Sequence, residues 1–353
     1  MLCLTVLSYH SGFGSYGPLA VLCFFTISGF VNNRSLSFKY ADSYADFFRA
    51  RAKRLLPDYL ACAFLSFLIL FLARSSNPSY IVKLRSQSAN FFMSSSFWHT
   101  FQSFLPKVYI DVFPFSLNFE SPLVPLFWSV YCEISFYLIL VFLHKFRLVK
   151  YKTILILTVA SILLILLSAN WSGTNLSNWN KYIYFNAVSG FGFFLIGVAA
   201  SLIEYHGNYL SYFSQIGIFL ILLYLFFGYQ VLPRPENLVR FNSSISLTLV
   251  SLFICTLVAI YLACNFPKTK FYKHSNLEKE FAYHSYGIYI WQSIVFLFFD
   301  YLHFYHNYDL IDYTNFYLTF LTIFSLSVLF SVSLKKFKEI FNSFFRKLKF
   351  DPA

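Results

Sequence analysis

Apolar runs long enough for a membrane helix alternate with short polar stretches along most of the chain. A bilayer core needs about 20 mostly apolar residues per helix. Runs of this kind occupy 17–33, 56–73, 122–143, 152–168, 183–203, 214–232, 245–265, 282–303 and 315–334. Residues 1–10, MLCLTVLSYH, add an apolar piece too short to span, read as a helix truncated at Met1 or as a half-span. The pattern predicts an all-α, polytopic membrane bundle of about ten transmembrane helices, the first of them truncated.

The polar stretches give the bundle an orientation. Taken alternately, 34–54, 144–152, 204–213, 265–281 and 335–353 hold 20 of the 27 Lys and Arg, and the other set holds 7. Short cytoplasmic loops carry the excess of cations. The expectation is therefore that both termini are cytoplasmic and that 335–353 is a basic cytoplasmic tail. Residues 1–353 read as one transmembrane domain. The long stretch 74–121, with NFFMSSSFWHTFQSFL, reads as interfacial or re-entrant chain on the outer side.

Composition removes the soluble alternatives. Charged residues make up 12% of the chain, against about 25% in a soluble domain, and the mean hydropathy is +0.60. The net charge of +12 lies in loops between apolar runs. It follows membrane topology, and no nucleic-acid partner is expected. Cys3, Cys23, Cys62, Cys132, Cys255 and Cys264 fall in or beside apolar spans without a Cys-x-x-Cys spacing. They are expected to be free thiols, with no disulfide and no metal site. The N-terminus lacks the basic region and small-residue cleavage site of a signal peptide.

Candidate chemistry lies where polar groups are expensive. A charged side chain at mid-span costs about 2.5–3.5 kcal/mol on insertion scales. Of 15 acidic residues, Glu133 alone lies near the middle of a predicted span. At helical spacing Ser129, Glu133, Phe136 and Tyr137 share one face. Glu133 is a site carboxylate or a packing group paired across the bundle. His10 ends the first apolar piece and is followed by the Gly-rich SGFGSYGP. An imidazole and a buried carboxylate together would make a base and its orienter. In FFRARAKRLLP, Arg51 and Arg54 are three apart on one helix face. They form an anion clamp at the cytoplasmic mouth, or mark topology and touch lipid headgroups. Ser285, Tyr289 and Gln292 follow i, i+4, i+7 and make a polar stripe, for a site or for interhelical packing.

In chain order these segments resemble the membrane-bound acyltransferase family 3, which includes O-acetyltransferases of bacterial surface polysaccharides. YHSGFGSYGPLAV is similar to the family's first motif, and FFTISGF at 24–30, with Ser28, to its Phe-Phe-x-x-Ser-Gly-Phe signature. Arg51-Ala52-Lys53-Arg54 before Pro57 resembles its Arg-x-x-Arg motif. Trp128, Ser129, Glu133, Phe136 and Tyr137 match its Trp-Ser-x-x-x-Glu-x-x-Phe-Tyr motif. Ser285, Tyr286, Tyr289 and Trp291 follow its Ser-Tyr-x-x-Tyr-x-Trp-His segment, with Gln292 in place of the histidine. Glutamine keeps the hydrogen bond but not the proton transfer near neutral pH. The family's first-helix arginine would lie upstream of Met1, so the expectation is a start internal to a longer reading frame.

The resemblance implies transfer of an acyl group, usually acetyl, from cytoplasmic acetyl-coenzyme A or another acyl-coenzyme A. The acceptor would be a hydroxyl of a cell-surface polysaccharide or its lipid-linked oligosaccharide precursor, at the bacterial cytoplasmic (inner) membrane. His10 and Glu133 are the expected catalytic pair, with His10 as general base or acyl carrier. Arg51, Arg54, Ser28, Trp128, Ser129, Ser285, Tyr289 and Gln292 are the expected donor and substrate contacts. Membrane lipids are the other expected partners, and no tightly bound cofactor is expected. The rival reading is a transporter or flippase for a lipid-linked saccharide. Such proteins often carry inverted repeats, and none is visible here.

Overall fold

The computed structural model describes residues 17–76, 108–112, 115–119, 127–172, 183, 186–203, 244–265, 284–292, 294–296, 298 and 321–336. The helices are α1 (Gly17–Arg34), α2 (Tyr44–Ser76), α3 (Phe127–Lys145), α4 (Tyr151–Ser172), α5 (Ala187–Leu202) and α6 (Ser244–Asn265). Two more follow, α7 over 284–292 and α8 over 321–336. By length and apolarity Gly17–Lys39 and Thr248–Asn265 suffice to cross a membrane, and Tyr151–Leu167 and Ala187–Leu202 are shorter apolar helices. The expected spans at 17–33, 152–168 and 245–265 thus coincide with helices. The expected truncated helix at 1–10 and the span at 214–232 lie outside the described residues.

Two elements differ from the expectation. A short antiparallel ribbon, β1 (Val108–Val112) with β2 (Phe115–Phe119), lies within the 74–121 stretch, with Val108 paired to Phe119 and Val112 to Phe115. It rests against α5 and α3. Helix α2 starts at Tyr44, well before the apolar run, and continues through Pro57. At 1.5 Å per residue its 33 residues reach about 50 Å, more than the ~30 Å hydrocarbon core. Its basic first part therefore extends beyond the apolar layer. Pro57 removes one backbone donor, the one that would meet the Lys53 carbonyl. There water and headgroups can replace it.

Helix α1 is the axis of the bundle. It is buried on nearly all sides, as a helix apolar all round should be. It packs most extensively on α5, with α6 and α3 on other sides. At the α1–α5 crossing two glycines bring backbone onto backbone. A Cβ on Gly29 would overlap the Phe194 carbonyl, and one on Gly197 would overlap the Thr26 carbonyl. The Thr26 hydroxyl donates across this contact to the Phe193 carbonyl at 3.1 Å. Small residues at a helix crossing are the membrane route to close packing. Phe25 meets Trp128 edge-on at 6.1 Å and Phe136 at 5.4 Å, and Phe136 meets Phe194 at 5.4 Å. This aromatic layer locks α3 onto the α1–α5 pair. Cys23 and Cys255 approach to 3.8 Å between α1 and α6, and the described cysteines are free thiols.

The outer surfaces are apolar. Helix α4 exposes Leu155, Ile156, Val159, Leu163 and Leu167, and α6 leaves Phe253 64% exposed. Water would penalise such faces and lipid does not.

Helix α3 ends in a Schellman turn. The Leu148 N–H bonds the Leu143 carbonyl at 2.8 Å, and the Arg147 N–H bonds the His144 carbonyl at 2.9 Å. Arg147 occupies the left-handed position, φ 55°, where glycine is favoured. Arg147→Gly should stabilise the detergent-solubilised protein by about 1 kcal/mol. Arg147→Ala, which removes the same charge but keeps the Cβ, should not. Thermal unfolding of the two variants side by side checks the expectation.

Candidate functional site

The site is built on α3. Ser129, Glu133 and Tyr137 recur every four residues, about 6 Å apart along the axis. The middle residue is a carboxylate 4% exposed. Ser28 of α1 donates its hydroxyl to Glu133 Oε1 at 2.6 Å, and the Tyr137 hydroxyl donates to the same oxygen. Asn32, one turn beyond Ser28, donates its amide to Ser28 Oγ at 2.9 Å and to the Ser28 carbonyl at 2.7 Å. Glu133 Oε2 and Asn32 Oδ1 are buried without a hydrogen-bond partner among the described residues. One carboxylate oxygen is thus satisfied by the protein, and the other is open to an outside donor.

On the side predicted to be cytoplasmic the column meets α2. The Arg51 guanidinium lies 5.2 Å from the Phe47 ring centroid and 5.8 Å from that of Tyr137. Stacking on two aromatic faces stabilises a desolvated cation, and Arg51 Nε is buried without a partner among the described residues. Arg54 is exposed. The two arginines expected to share a face diverge, because three residues of helix rotate a side chain by about 60° relative to its neighbour. That angle suffices to turn Arg51 toward Tyr137 and Arg54 toward the exterior.

The other end of the column meets α7. Ser129 Oγ and the Tyr289 hydroxyl are 2.9 Å apart. Gln292 donates to the Tyr289 carbonyl at 3.0 Å, which fixes its amide orientation and leaves buried Oε1 without a partner among the described residues. Trp128 is buried in the aromatic layer, and Ser285 is half-buried at the start of α7. The structure therefore gathers Ser28, Ser129, Glu133, Tyr289 and Arg51 along one polar column. Trp128 supports it, and Arg54 stands apart. His10 lies outside the described residues.

Sequence reasoning missed two residues that matter. Asn32 bridges to Ser28 from the end of the first apolar run, where an amide is easily taken for a helix terminus. Asp58 is 8% exposed and accepts from the Trp291 indole at 3.2 Å. Nearby, His284 Nδ1 and Ser331 Oγ are 2.8 Å apart. The absence of a Cβ at Gly287 admits Ser331 to this junction of α2, α7 and α8. An acid directly after Pro57 at the head of an apolar run was the available signal.

With this geometry, comparison with known families is direct. A family model described as an acyltransferase domain matches residues 2–336. Comparison with curated proteins and with solved structures gives no match. The match takes in the whole polar column together with the helices that carry it, and the chain belongs to acyltransferase family 3, a family of membrane proteins.

Proposed function

We propose that this membrane acyltransferase moves an acyl group, acetyl in the usual case, from acyl-coenzyme A on the cytoplasmic side. The acceptor is a hydroxyl of a bacterial surface polysaccharide or its lipid-linked precursor. The observation that carries this reading is the half-satisfied Glu133 carboxylate, with one oxygen held by Ser28 and Tyr137 and the other open. A flippase has no need of a carboxylate so prepared, and family membership favours acyl transfer. Among the described residues, Glu133 Oε2, Asn32 Oδ1 and Gln292 Oε1 are buried acceptors without donors, which suits substrates rich in O–H and N–H groups. His10 is the partner we assign to the open oxygen, as general base or as acyl carrier.

Membranes containing the protein should release free coenzyme A from acetyl-coenzyme A, and cells lacking the gene should lose acyl groups from the surface glycan. If neither change is observed, the proposal fails. Cytoplasmic placement of the basic segments predicts that cysteines introduced in 34–54 or after 335 stay shielded from an impermeant thiol reagent in intact cells.

The donor end gives a sharper test. Arg51, inward and stacked, is poised to bind a donor phosphate, and Arg54 is exposed. Arg51→Lys should raise KM for acyl-coenzyme A by about tenfold, roughly 1.4 kcal/mol. Arg54→Lys should change it much less. Equal effects would reduce Arg51 to a topology signal.

A further inference from the structure

We propose that Ser28 carries the acyl group between donor and acceptor, as a covalent ester formed and consumed in each turnover. This rests on the acyltransferase reading above. A serine hydroxyl is a weak nucleophile unless a base lies within hydrogen-bond reach, about 2.6–3.2 Å. Ser28 Oγ is 2.6 Å from Glu133 Oε1. Its proton is directed there, because the carboxylate oxygen at 2.6 Å is a much closer acceptor than the Tyr137 hydroxyl at 3.5 Å. The Asn32 amide is oriented by its bond to the Ser28 carbonyl at 2.7 Å, so it can only donate to Oγ, at 2.9 Å. That leaves the hydroxyl hydrogen for the carboxylate and one Oγ lone pair for attack. The adjoining Gly29 contact with the Phe194 carbonyl holds this turn of α1 rigidly against α5, as near-attack geometry requires.

The chemistry balances with the two substrates already named. Ser28 Oγ bonds to the thioester carbonyl carbon, and its proton passes to Glu133. The C–S bond breaks, and the departing coenzyme A thiolate takes that proton. In the second half, the acceptor hydroxyl oxygen attacks the Ser28 ester and its proton passes to Glu133. The Oγ–C bond then breaks, and Ser28 Oγ recovers the proton. The Asn32 amide, already at Oγ, is the nearest described donor for the oxyanion formed at each attack. Other serines are differently equipped: Ser129 faces the Tyr289 hydroxyl, and Ser331 faces the His284 imidazole at the α2–α7–α8 junction.

The test incubates the full-length protein in membranes with radiolabelled acetyl-coenzyme A and no acceptor, quenches in denaturant and locates the label by peptide mass spectrometry. One acetyl group on Ser28, chased off by added acceptor glycan, is the expected result. Ser28→Ala should lose the label and about 10³-fold or more of the transfer rate. Ser28→Cys guards against misfolding as the cause, because it should take the label as a thioester cleaved by neutral hydroxylamine. The proposal is overturned by label on His10, Ser331 or any other residue. Absence of label in a preparation that acylates glycan overturns it too, as does Ser28→Ala transferring at the wild-type rate. In those cases the acyltransferase reading survives. If wild-type membranes neither release coenzyme A nor acylate glycan, that reading fails first.

Discussion

Glu133→Gln should leave the bundle intact and stop acyl transfer. Glutamine keeps the length of the side chain and an oxygen able to accept from Ser28 and Tyr137, so the contacts of α1 with α3 persist. What disappears is the charge, and with it the ability to take a proton or stabilise a cation. Loss of a general base typically costs about 10²–10⁴-fold. We expect at least about 10³-fold here, because the same carboxylate serves two substrates in succession. Rates of glycan acylation, normalised to protein accumulated in the membrane, provide the measurement. If His10 and Glu133 act as a unit, His10→Ala, Glu133→Ala and the double variant should be similarly inactive, since losses within one unit do not add. A well-inserted Glu133→Gln protein that transfers at even a tenth of the wild-type rate would remove the carboxylate from the chemistry.

The largest structural effect is expected at the α1–α5 crossing. Gly29→Ala puts a methyl group onto the Phe194 carbonyl, and Gly197→Ala puts one onto the Thr26 carbonyl. Both obstacles are backbone, so no side chain can rotate away. Overpacking typically costs about 1–3 kcal/mol and occasionally more, and a clash with main chain belongs at the upper end. Each substitution should lower the thermal midpoint in detergent by several degrees and reduce accumulation in the membrane. The pair should cost less than the sum, because the first methyl group already separates the helices. Gly192→Ala is the comparison. Its added carbon would meet the Ile165 side chain, which can yield, so the loss should be smaller. Equal stability of all three variants would mean that α1 and α5 are not in backbone contact.

What the sequence made legible follows from how far each signal reaches along the chain. The apolar runs at 17–33, 152–168 and 245–265 coincide with α1, α4 and α6 because span length is a local property. Glu133 stood out because a mid-span acid is costly wherever its partners lie. Its partner on α1, Ser28, is 105 residues away, and no periodicity encodes that pairing. The resemblance supplied Ser28 as a motif residue without its hydrogen bond. The apolar run at 56–73 marks only part of α2, because the basic turns from Tyr44 onward carry no apolar signal. At a membrane surface a helix can run on past its apolar stretch, since water and headgroups satisfy what it leaves open. The ribbon at 108–119 was missed for the opposite reason. VYIDV and FSLNF do alternate with a period of two, but five residues are too few to stand out within a long aromatic loop.

The burial of α1 has a consequence for biosynthesis. Its Thr26 finds the Phe193 carbonyl 167 residues later, and its Cys23 meets Cys255 232 residues later. At about 5–20 residues per second, the ribosome needs roughly 8–35 s to deliver α5 after α1, and longer for α6. During that interval the Thr26 and Gly29 face of α1 waits for the α5 backbone it packs against. Ser28 and Glu133 can be brought together earlier, once α3 is inserted, but nothing then fixes their helices. The polar column is therefore completed only near the end of synthesis, and a chain released before α5 would leave the Thr26 and Gly29 face of α1 without the backbone it packs against.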